Sequence, residues 1–534
     1  MAGFIMRKNP SEFSRRQVLK NSATALVAST VPAALASSGV MGNESIPPES
    51  GSQGPSPSLV QAKAAVAQIR EPIVRISREV WAFAERSLLE ARSAEVLIRE
   101  LEAAGFRTLS RGTGGVPTNF VTEWKQGNGG PIFGFLPEYD ALPDLGNAAE
   151  PRKTPAPSGI TSGHGCGHNI LGAGCVGGAI ALKNMVQGKN IPVTIRVYGC
   201  AAEESQGGKA YMARAGSFDD VDIAFSFHSA GEAGAGLVTT TANRNNKVEF
   251  FGRSAHAGNE PWMGRSALDA AELLTHAINL MREHIQPTSR MHYVYESGGV
   301  APNVVPDYAR VWLTLRAVDT PQVTAMNEWA KQIAEGAAMA TQTRAVFKTF
   351  VGYPEIIPNE PLARLAYKHI TGYGLANEWT AEEQTFAKTC QKELGVPETG
   401  LATKPFPFLP LTPVGASSDV GSVSWKTPVL IFAWPSLPRN TPLHTWVVTA
   451  CGGMSIGDKC ALASSAILAA AGLDLLADRA LLESAQADFK KRLGDRKYVS
   501  AIPPEMTRPD DIPDWLIKAG QDDQFSKLPE PPNG

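Results

Sequence analysis

What this sequence lacks first is an excess of positive charge. Its 50 Lys and Arg are matched by 52 Asp and Glu, for a formal net charge of −2. A nucleic-acid partner asks for a basic face and a clear positive surplus, so no such partner is expected. Cysteine is scarce as well. The six residues are scattered from Cys166 to Cys460 with no dense short spacing, which excludes a disulfide framework. Cys200, Cys451 and Cys460 lie in apolar surroundings and read as small buried residues. Uncharged apolar runs of bilayer length are missing too, so the mature chain is expected to have no membrane span. Histidine is rare, nine in all, which gives weight to each one that falls near acids at a strand end. What remains is 43% hydrophobic and 19% charged, a globular profile, and 534 residues are too many for one ordinary core.

The first residues read as a targeting segment. Ser14-Arg15-Arg16-Gln17-Val18-Leu19-Lys20 has the form of a twin-arginine signature. Residues 23–35 form a modest apolar stretch, and Ala34-Leu35-Ala36 offers small residues for cleavage. The competing reading is a chance Arg pair in a disordered N-terminus, but the succession of basic, apolar and small-residue parts favours export. The expectation is a signal peptide over 1–36, recognised by the twin-arginine export machinery and leaving a periplasmic protein. A flexible Ser-, Gly- and Pro-rich leader follows over 37–58.

From 59 to 105 apolar residues recur at helical spacing, and Gly105 is expected to close a second helix. Strands are expected at 131–136, 193–198 and 221–227, with a buried helix at 172–186 between the first two. The strands end in Glu138-Tyr139-Asp140, in Glu203-Glu204 shortly beyond, and in His228, which is where open α/β sheets bind ligands. Strands at 247–251 and 309–316 and helices at 267–284 and 326–340 then read as a small α+β domain over 241–353, inserted in a larger one over 59–240 and 354–499. A strand at 427–433 and an Ala-rich helix at 455–476 belong to the larger domain, and the Pro- and Asp-rich tail over 500–534 has little periodicity.

Gly163-His164-Gly165-Cys166-Gly167-His168-Asn169 is the sharpest local feature. Cys and His bind borderline-soft divalent metals, and glycines let a tight turn present them. A Gly-rich turn with a buried Cys and a capping His would look the same. Glu203-Glu204 pairs two acids where the chain turns, so one could hold a metal while the other acts as base; a solvated loop is the plainer alternative. His228 and His444 each read singly as structural histidines. Taken with the acids at neighbouring strand ends, they form the pattern of a metal cluster.

At this point the chain resembles the superfamily of co-catalytic metallohydrolases that includes the aminoacylases and carboxypeptidase G, and within it the aminobenzoyl-glutamate hydrolase branch. The likeness runs from about residue 73 to 476. It rests on Glu-Tyr-Asp-Ala-Leu-Pro at 138–143, the Gly-His-Gly-Cys-Gly-His-Asn turn, Ala-Glu-Glu at 202–204 and Gly-Arg-Ser-Ala-His-Ala at 252–257. Pro-Trp-Met-Gly-Arg-Ser at 261–266, Ala-Pro-Asn-Val-Val-Pro-Asp at 301–307 and Ser-Ser-Asp-Val-Gly at 417–421 complete it.

The resemblance implies a zinc-peptidase-like α/β/α catalytic domain carrying an α+β lid and dimerisation domain, and hydrolysis of an amide bond in an N-acyl or aryl amino acid such as p-aminobenzoyl-glutamate. It implies two divalent ions, Zn or Mn, on Cys166, His168, Glu204, His228 and His444. It makes Glu203 the general base, Asp140 the acid that orients a metal-ligating group, and His256 a lid residue supplied to the neighbouring subunit of a homodimer. Asn303 and Arg316 become lid contacts to substrate polar groups, an Arg fork suiting a carboxylate; Arg316 as a surface residue on an edge strand is the alternative. Where the wider superfamily has His-x-Asp this chain has Glu138-Tyr139-Asp140, which leaves the role of Glu138 open. A homologous second subunit is a further possible partner. Competing functions are a general aminoacylase or dipeptidase of the same fold, a cysteine enzyme with Cys166 as nucleophile, and a metal-free scaffold.

Overall fold

The computed structural model describes residues 54–513. The leader reading at 1–36 and most of the flexible segment after it lie outside the described residues. Three helices come first among the described residues: α1 (Pro57–Gln68), α2 (Arg70–Phe83) and α3 (Ala91–Ala103). Sequence periodicity implied two. The break between α2 and α3 contains neither Gly nor Pro; Ala84 and Leu88 take the left-handed conformation instead, at φ 42° and 71°. Gly105 stands one place beyond the Ala104 cap of α3, at φ 89°, and the Phe106 amide closes on the Leu101 carbonyl in a Schellman arrangement.

The next elements are β1 (Arg107–Arg111), β2 (Phe120–Gln126), β3 (Ile132–Phe135), α4 (His168–Val186), β4 (Val193–Gly199), α5 (Gly208–Arg214), β5 (Ile223–Phe225), β6 (His228–Ala230) and β7 (Gly236–Thr239). Then come β8 (Ala242–Phe251), α6 (Ala267–Met281), β9 (Arg290–Ser297), β10 (Tyr308–Ala317), α7 (Thr320–Thr341) and β11 (Arg344–Val351). The last stretch holds α8 (Glu360–Tyr373), α9 (Ala381–Leu394), β12 (Leu409–Pro413), α10 (Val420–Ser424), β13 (Val429–Leu430), β14 (Ala433–Pro435), α11 (Trp446–Gly452), α12 (Ser455–Ala477) and α13 (Arg479–Leu493).

Six strands form one sheet in the order β1-β2-β4-β3-β5-β13. The two outer pairs, β1-β2 and β2-β4, are antiparallel, whereas β4-β3-β5-β13 run parallel. Helices α4 and α12 are apolar enough to pass for membrane spans by composition, but they pack against each other and are mostly buried within the protein. Their contact depends on small residues. A Cβ on Gly177 would stand 2.7 Å from Ile73 Cδ1 and collide with Ser465 Oγ. The four parallel strands deliver their carboxyl ends to one edge, and the loops that leave it carry Glu138, Glu203-Glu204 and His228.

A second, antiparallel sheet has the order β11-β8-β10-β9. Strand β10 alternates strictly, with Ala309, Val311, Leu313 and Leu315 buried among residues of α6 and α7. Helix α7 begins at Thr320, earlier than periodicity suggested, because Asp319 caps it by accepting from the Gln322 amide at 2.9 Å, with Pro321 in its first turn. The expected strand at 427–433 is split into β13 and β14, the latter pairing with β6 beside His228. The tail as far as residue 513 is packed down: Arg214 donates to the Pro503 and Met506 carbonyls, and Ile502, Met506 and Ile512 are buried.

Candidate metal centre

His168 is the first residue of α4, and Gly167 before it takes a left-handed φ of 78° that lets the chain turn sharply into the helix. A side chain at Gly167 would also collide with Ser229. His168 Nδ1 lies 2.8 Å from Asp140 Oδ1, and Asp140 Oδ2 accepts from Ser87 Oγ at 2.7 Å and from the Glu204 amide at 3.0 Å. Burial opposes the charge on Asp140, but His168 and these hydrogen bonds outweigh it and hold the carboxyl down at about 2. An ionised Asp140 fixes the proton on Nδ1 and turns Nε2 toward the centre. His228 is set the same way by a different partner. Its Nδ1 lies 2.7 Å from the Ser229 carbonyl, so Nε2 is the free nitrogen, 3.4 Å from Cys166 Sγ. His164, in the same turn, faces away: its Nε2 donates to the Val80 carbonyl at 2.9 Å and anchors the turn to α2.

Glu204 completes the other side. Its Oε1 is 4.0 Å from His168 Nε2 and its Oε2 is 3.6 Å from His444 Nε2. His444 comes from a distant loop in a left-handed conformation, φ 60°, and its amide donates to the Gly165 carbonyl at 2.8 Å, which ties that loop to the Cys166 turn. Ligand-type atoms of Cys166, His168 and His228 lie within 4.8 Å of one another, and so do those of Cys166, Glu204 and His444. All five side chains singled out from sequence therefore meet, in two sets that share Cys166. Donor chemistry and the state of the atoms both fit divalent ions. The set mixes thiol, imidazole and carboxylate, and His168 Nε2 and Glu204 Oε1 are buried with no hydrogen-bond partner among the described residues. Burial and the Glu204 charge push the Cys166 thiol up to about 12, so without a cation nothing here makes it a thiolate.

A third set joins Glu138, His168 and Glu203. Burial, then the charges of Glu138, Asp419 and Glu204, raise the Glu203 carboxyl well above its ordinary range. Two partners of this set carry no role in the sequence reading. Lys209 Nζ, fully buried, donates to Glu138 Oε1 at 2.6 Å and to Asp419 Oδ1 at 2.7 Å. Glu90 accepts from the Ala202 amide and from Thr118 Oγ1, each at 2.8 Å, and so holds the left-handed residue that precedes Glu203. Asp419 sits in the Ser-Ser-Asp-Val-Gly motif and was visible there without a function, whereas Lys209 and Glu90 lie in none of the motifs.

The three lid residues do not join the cluster. His256 is exposed, and its Nδ1 accepts from the Gly258 and Asn259 amides at 3.1 and 3.0 Å, which leaves the proton on Nε2 facing outward. Asn303 is exposed, and its main-chain carbonyl accepts from the Ala257 amide at 3.0 Å. Arg316 is half-buried and donates to Ser417 Oγ at 2.9 Å, reaching the loop that carries Asp419. Its strand, β10, is interior to the sheet, which corrects the edge-strand alternative.

A family model described as the peptidase dimerisation domain matches residues 243–340, in the region of the four-stranded sheet. Across 465 residues the chain is 35% identical to one of the subunits of p-aminobenzoyl-glutamate hydrolase from Escherichia coli (strain K12), covering 82% of this chain and 96% of that protein. The chain belongs to the M20 metallopeptidase family. Another M20 relative is the Xaa-Arg dipeptidase of Mus musculus, 28% identical over 454 residues, 83% of this chain and 95% of that one. The crystal structure of an aminobenzoyl-glutamate utilization protein from Klebsiella pneumoniae aligns with a TM-score of 0.53 at 20% identity, over 77% of this chain and 98% of that one, a shared fold. Membership makes this M20 protein a hydrolase of amide bonds.

Proposed function

We propose that this M20 hydrolase cleaves the amide of an N-acyl or aryl amino acid of the p-aminobenzoyl-glutamate type, with Glu203 as general base and Cys166, His168, Glu204, His228 and His444 holding two divalent ions. The observation that carries the reading is the meeting of five ligand-type side chains in two sets around Cys166, with Glu203 beside them. Bound ions would supply Lewis acidity, lowering the pKa of a water and polarising the amide carbonyl. Glu203 takes the water's proton and passes it to the leaving nitrogen. Asp140 keeps His168 in one tautomer, and the His256 Nε2 proton is free to stabilise an oxyanion. Arg316, which spends one N–H on Ser417, has further donors in its fork and is suited to the substrate carboxylate, with Asn303 beside the same lid turn. The mixed S, N and O donor set suits Zn and admits Mn.

The substrate class draws on the Escherichia coli relative, whose name carries p-aminobenzoyl-glutamate. That relative is one subunit of its hydrolase, and a homologous partner chain is the second assembly to test here. A homodimer is the proposed assembly: Leu273, Leu280 and Val294 are exposed on α6 and the edge strand β9, inside the region matched by the dimerisation model. Export by the twin-arginine route to the periplasm completes the proposal. A dipeptidase is the second reading, on the strength of the Xaa-Arg dipeptidase relative. The test is hydrolysis of p-aminobenzoyl-glutamate against a panel of Xaa-Arg dipeptides and N-acyl amino acids, with and without chelator, alongside metal analysis. Turnover of the aryl amide that stops on chelation and returns with metal is expected. Turnover that survives complete metal removal would point to Cys166 as nucleophile, and its absence on every substrate would leave a scaffold.

A further inference from the structure

Arg244 is a buried charge that the metal centre does not use. It is 7% exposed, yet it forms no ion pair with any acid among the described residues. A guanidinium has five N–H groups. One on Nη1 goes to the Asn243 carbonyl at 2.7 Å and one on Nη2 to Thr324 Oγ1 at 3.2 Å, so three have no acceptor among the described residues. Thr324 lies near the amino end of α7, where the helix dipole is positive and gives a cation no support. The acids on the adjoining segments are committed elsewhere. Glu355 accepts from the Thr320 amide and hydroxyl and from Arg496, and Asp319 accepts from Gln322. Burial pulls Arg244 down to about 10 against the opposing effects of Tyr498 and Glu355. A buried cation with free donors is costly, and its natural complement is an anion with two oxygens.

The cavity that Arg244 lines has a volume of about 310 Å³, and no residue of the metal centre lines it. It lies where the chain passes between the two large sheets. Strand β8 begins at Ala242 and β11 ends at Val351. The two crossings are tied together, the Asn243 amide donating to the Tyr353 carbonyl at 2.9 Å and the Tyr353 amide to Asn243 Oδ1 at 3.1 Å. Arg244 and Gly352 flank this tie. A Cβ on Gly352 would stand 2.9 Å from Arg244 Cδ, so the glycine leaves room for the arginine stem. The walls are mostly apolar and include the rings of Tyr353, Trp425 and Tyr498. Trp425 Nε1 is spent on the Glu355 carbonyl at 2.9 Å and the Tyr498 hydroxyl on the Ala210 carbonyl at 3.4 Å, so these rings offer their apolar parts. Lys497, exposed at the same cavity, adds positive charge, whereas that of Arg496 is answered by Glu355.

We propose that this cavity binds a small aromatic carboxylate, its oxygens on the free Arg244 N–H groups and the Thr324 hydroxyl, its ring among Tyr353, Trp425 and Tyr498. Thr324 Oγ1 accepts from Arg244 and keeps its own proton to give. The volume is at the small end for ligand pockets and suits a single ring with its carboxylate. Inorganic phosphate would answer the charge but leave the rings uncovered, so it binds less well. The occupant touches β8 and α7 on one side and the segments around Trp425 and Tyr498 on the other. The site stands independently of the metal-centre reading.

Calorimetric titration of the full-length protein with benzoate, run with and without chelator, tests this, since a carboxylate also binds metal ions. One benzoate per chain is expected in both conditions, with benzamide, which lacks the charge, at least ~10-fold weaker. Arg244→Met is expected to weaken benzoate ~10- to 100-fold, the worth of hydrogen bonds to a charged group. Thr324→Val keeps the shape, removes the hydroxyl and should weaken it ~2- to 10-fold, and it carries the test if Arg244→Met does not fold. Inorganic phosphate that binds as tightly as benzoate and is lost in the same variants overturns the aromatic class of ligand. Benzoate binding that disappears with chelator belongs to the metal centre and overturns the site. So does binding that is unchanged in both variants, or absent from the wild-type protein. The metal-centre reading is decided separately, by metal analysis.

Discussion

Glu203 and Glu204 are chain neighbours with different surroundings, and their roles follow from what each touches. Glu204 points an oxygen at His444 and another at His168, and its amide is held by Asp140. Glu203 instead lies near Glu138 and His168 and faces neither His444 nor Cys166 within its set. Burial raises both carboxyls, Glu204 to about 7 and Glu203 well above its ordinary range, so it is the ligand-type neighbours of Glu204 and the proton affinity of Glu203 together that assign one to the metal and the other to proton transfer. Glu203→Gln is therefore expected to keep its metal content within error of wild type and to lose at least ~100-fold in kcat, as when a general base is removed. Metal analysis and steady-state kinetics on one preparation check this; loss of an ion would mean that Glu203 and Glu204 exchange roles. Asp140→Asn makes the complementary case. An amide has no charge to fix the Nδ1 proton of His168, so metal affinity should fall ~10- to 100-fold with the fold intact, as read by chelator competition and circular dichroism.

Among the elements, α4 and α12 decide whether the sheet edge is held in place. Gly177 in α4 faces Ile73 and Ser465, and the Ser465 hydroxyl is already committed to the Gly174 and Ala461 carbonyls. Gly177→Ala gains ~1 kcal/mol of helix propensity. Overpacking a filled interior costs ~1–3 kcal/mol, and here the hydroxyl must also give up its bonds, so the clash wins. A net destabilisation of about 1–2 kcal/mol is expected in urea unfolding; an unchanged midpoint would show that Ile73 moves aside freely. The same elements show what could be read from sequence. Strands β3, β4 and β5 announce themselves as short apolar runs that end in acids or His, and a Gly-rich turn marks the Cys166–His168 segment, because each signal is local. The break at Ala84 was invisible, since a non-Gly residue was forced left-handed by packing and not by its own preference. Strand β9 and helices α8 and α9 carried too weak a pattern to stand out. Lys209, Asp419 and Glu90 were missed for a related reason. Lys209 meets Glu138 across 71 residues and Asp419 across 210, and Glu90 meets Ala202 across 112. Only the folded sheet edge brings them together.

For the whole molecule two questions remain testable, where it works and whether two copies share a site. Replacing Arg15 and Arg16 by Lys should leave the uncleaved precursor in the cytoplasm, as cell fractionation would read, because the paired guanidinium groups are what the export reading rests on; unchanged export would remove it. The proposal of a shared site rests on His256. Its Nδ1 is satisfied by two backbone amides, so Nε2 carries a proton that points to solvent, and within its own chain it stands apart from the clustered residues. A donor with no partner among the described residues of its own protomer is what a residue supplied to a neighbour looks like, and the turn lies inside the region matched by the dimerisation model. His256→Ala alone is expected to keep its metals and lose ~100- to 1,000-fold in turnover, the usual loss of one oxyanion donor. Mixing it with Glu203→Gln under subunit exchange separates the two arrangements. If the neighbour supplies His256, each mixed dimer has one site with both native groups and one with neither. Half of the dimers are mixed at equal input, so about a quarter of wild-type activity should return from two inactive proteins. If His256 serves its own protomer, every site in the mixture lacks one group and the mixture stays inactive although exchange is shown by a tag. Recovery near a quarter places the catalytic unit in the dimer; none confines it to the single chain.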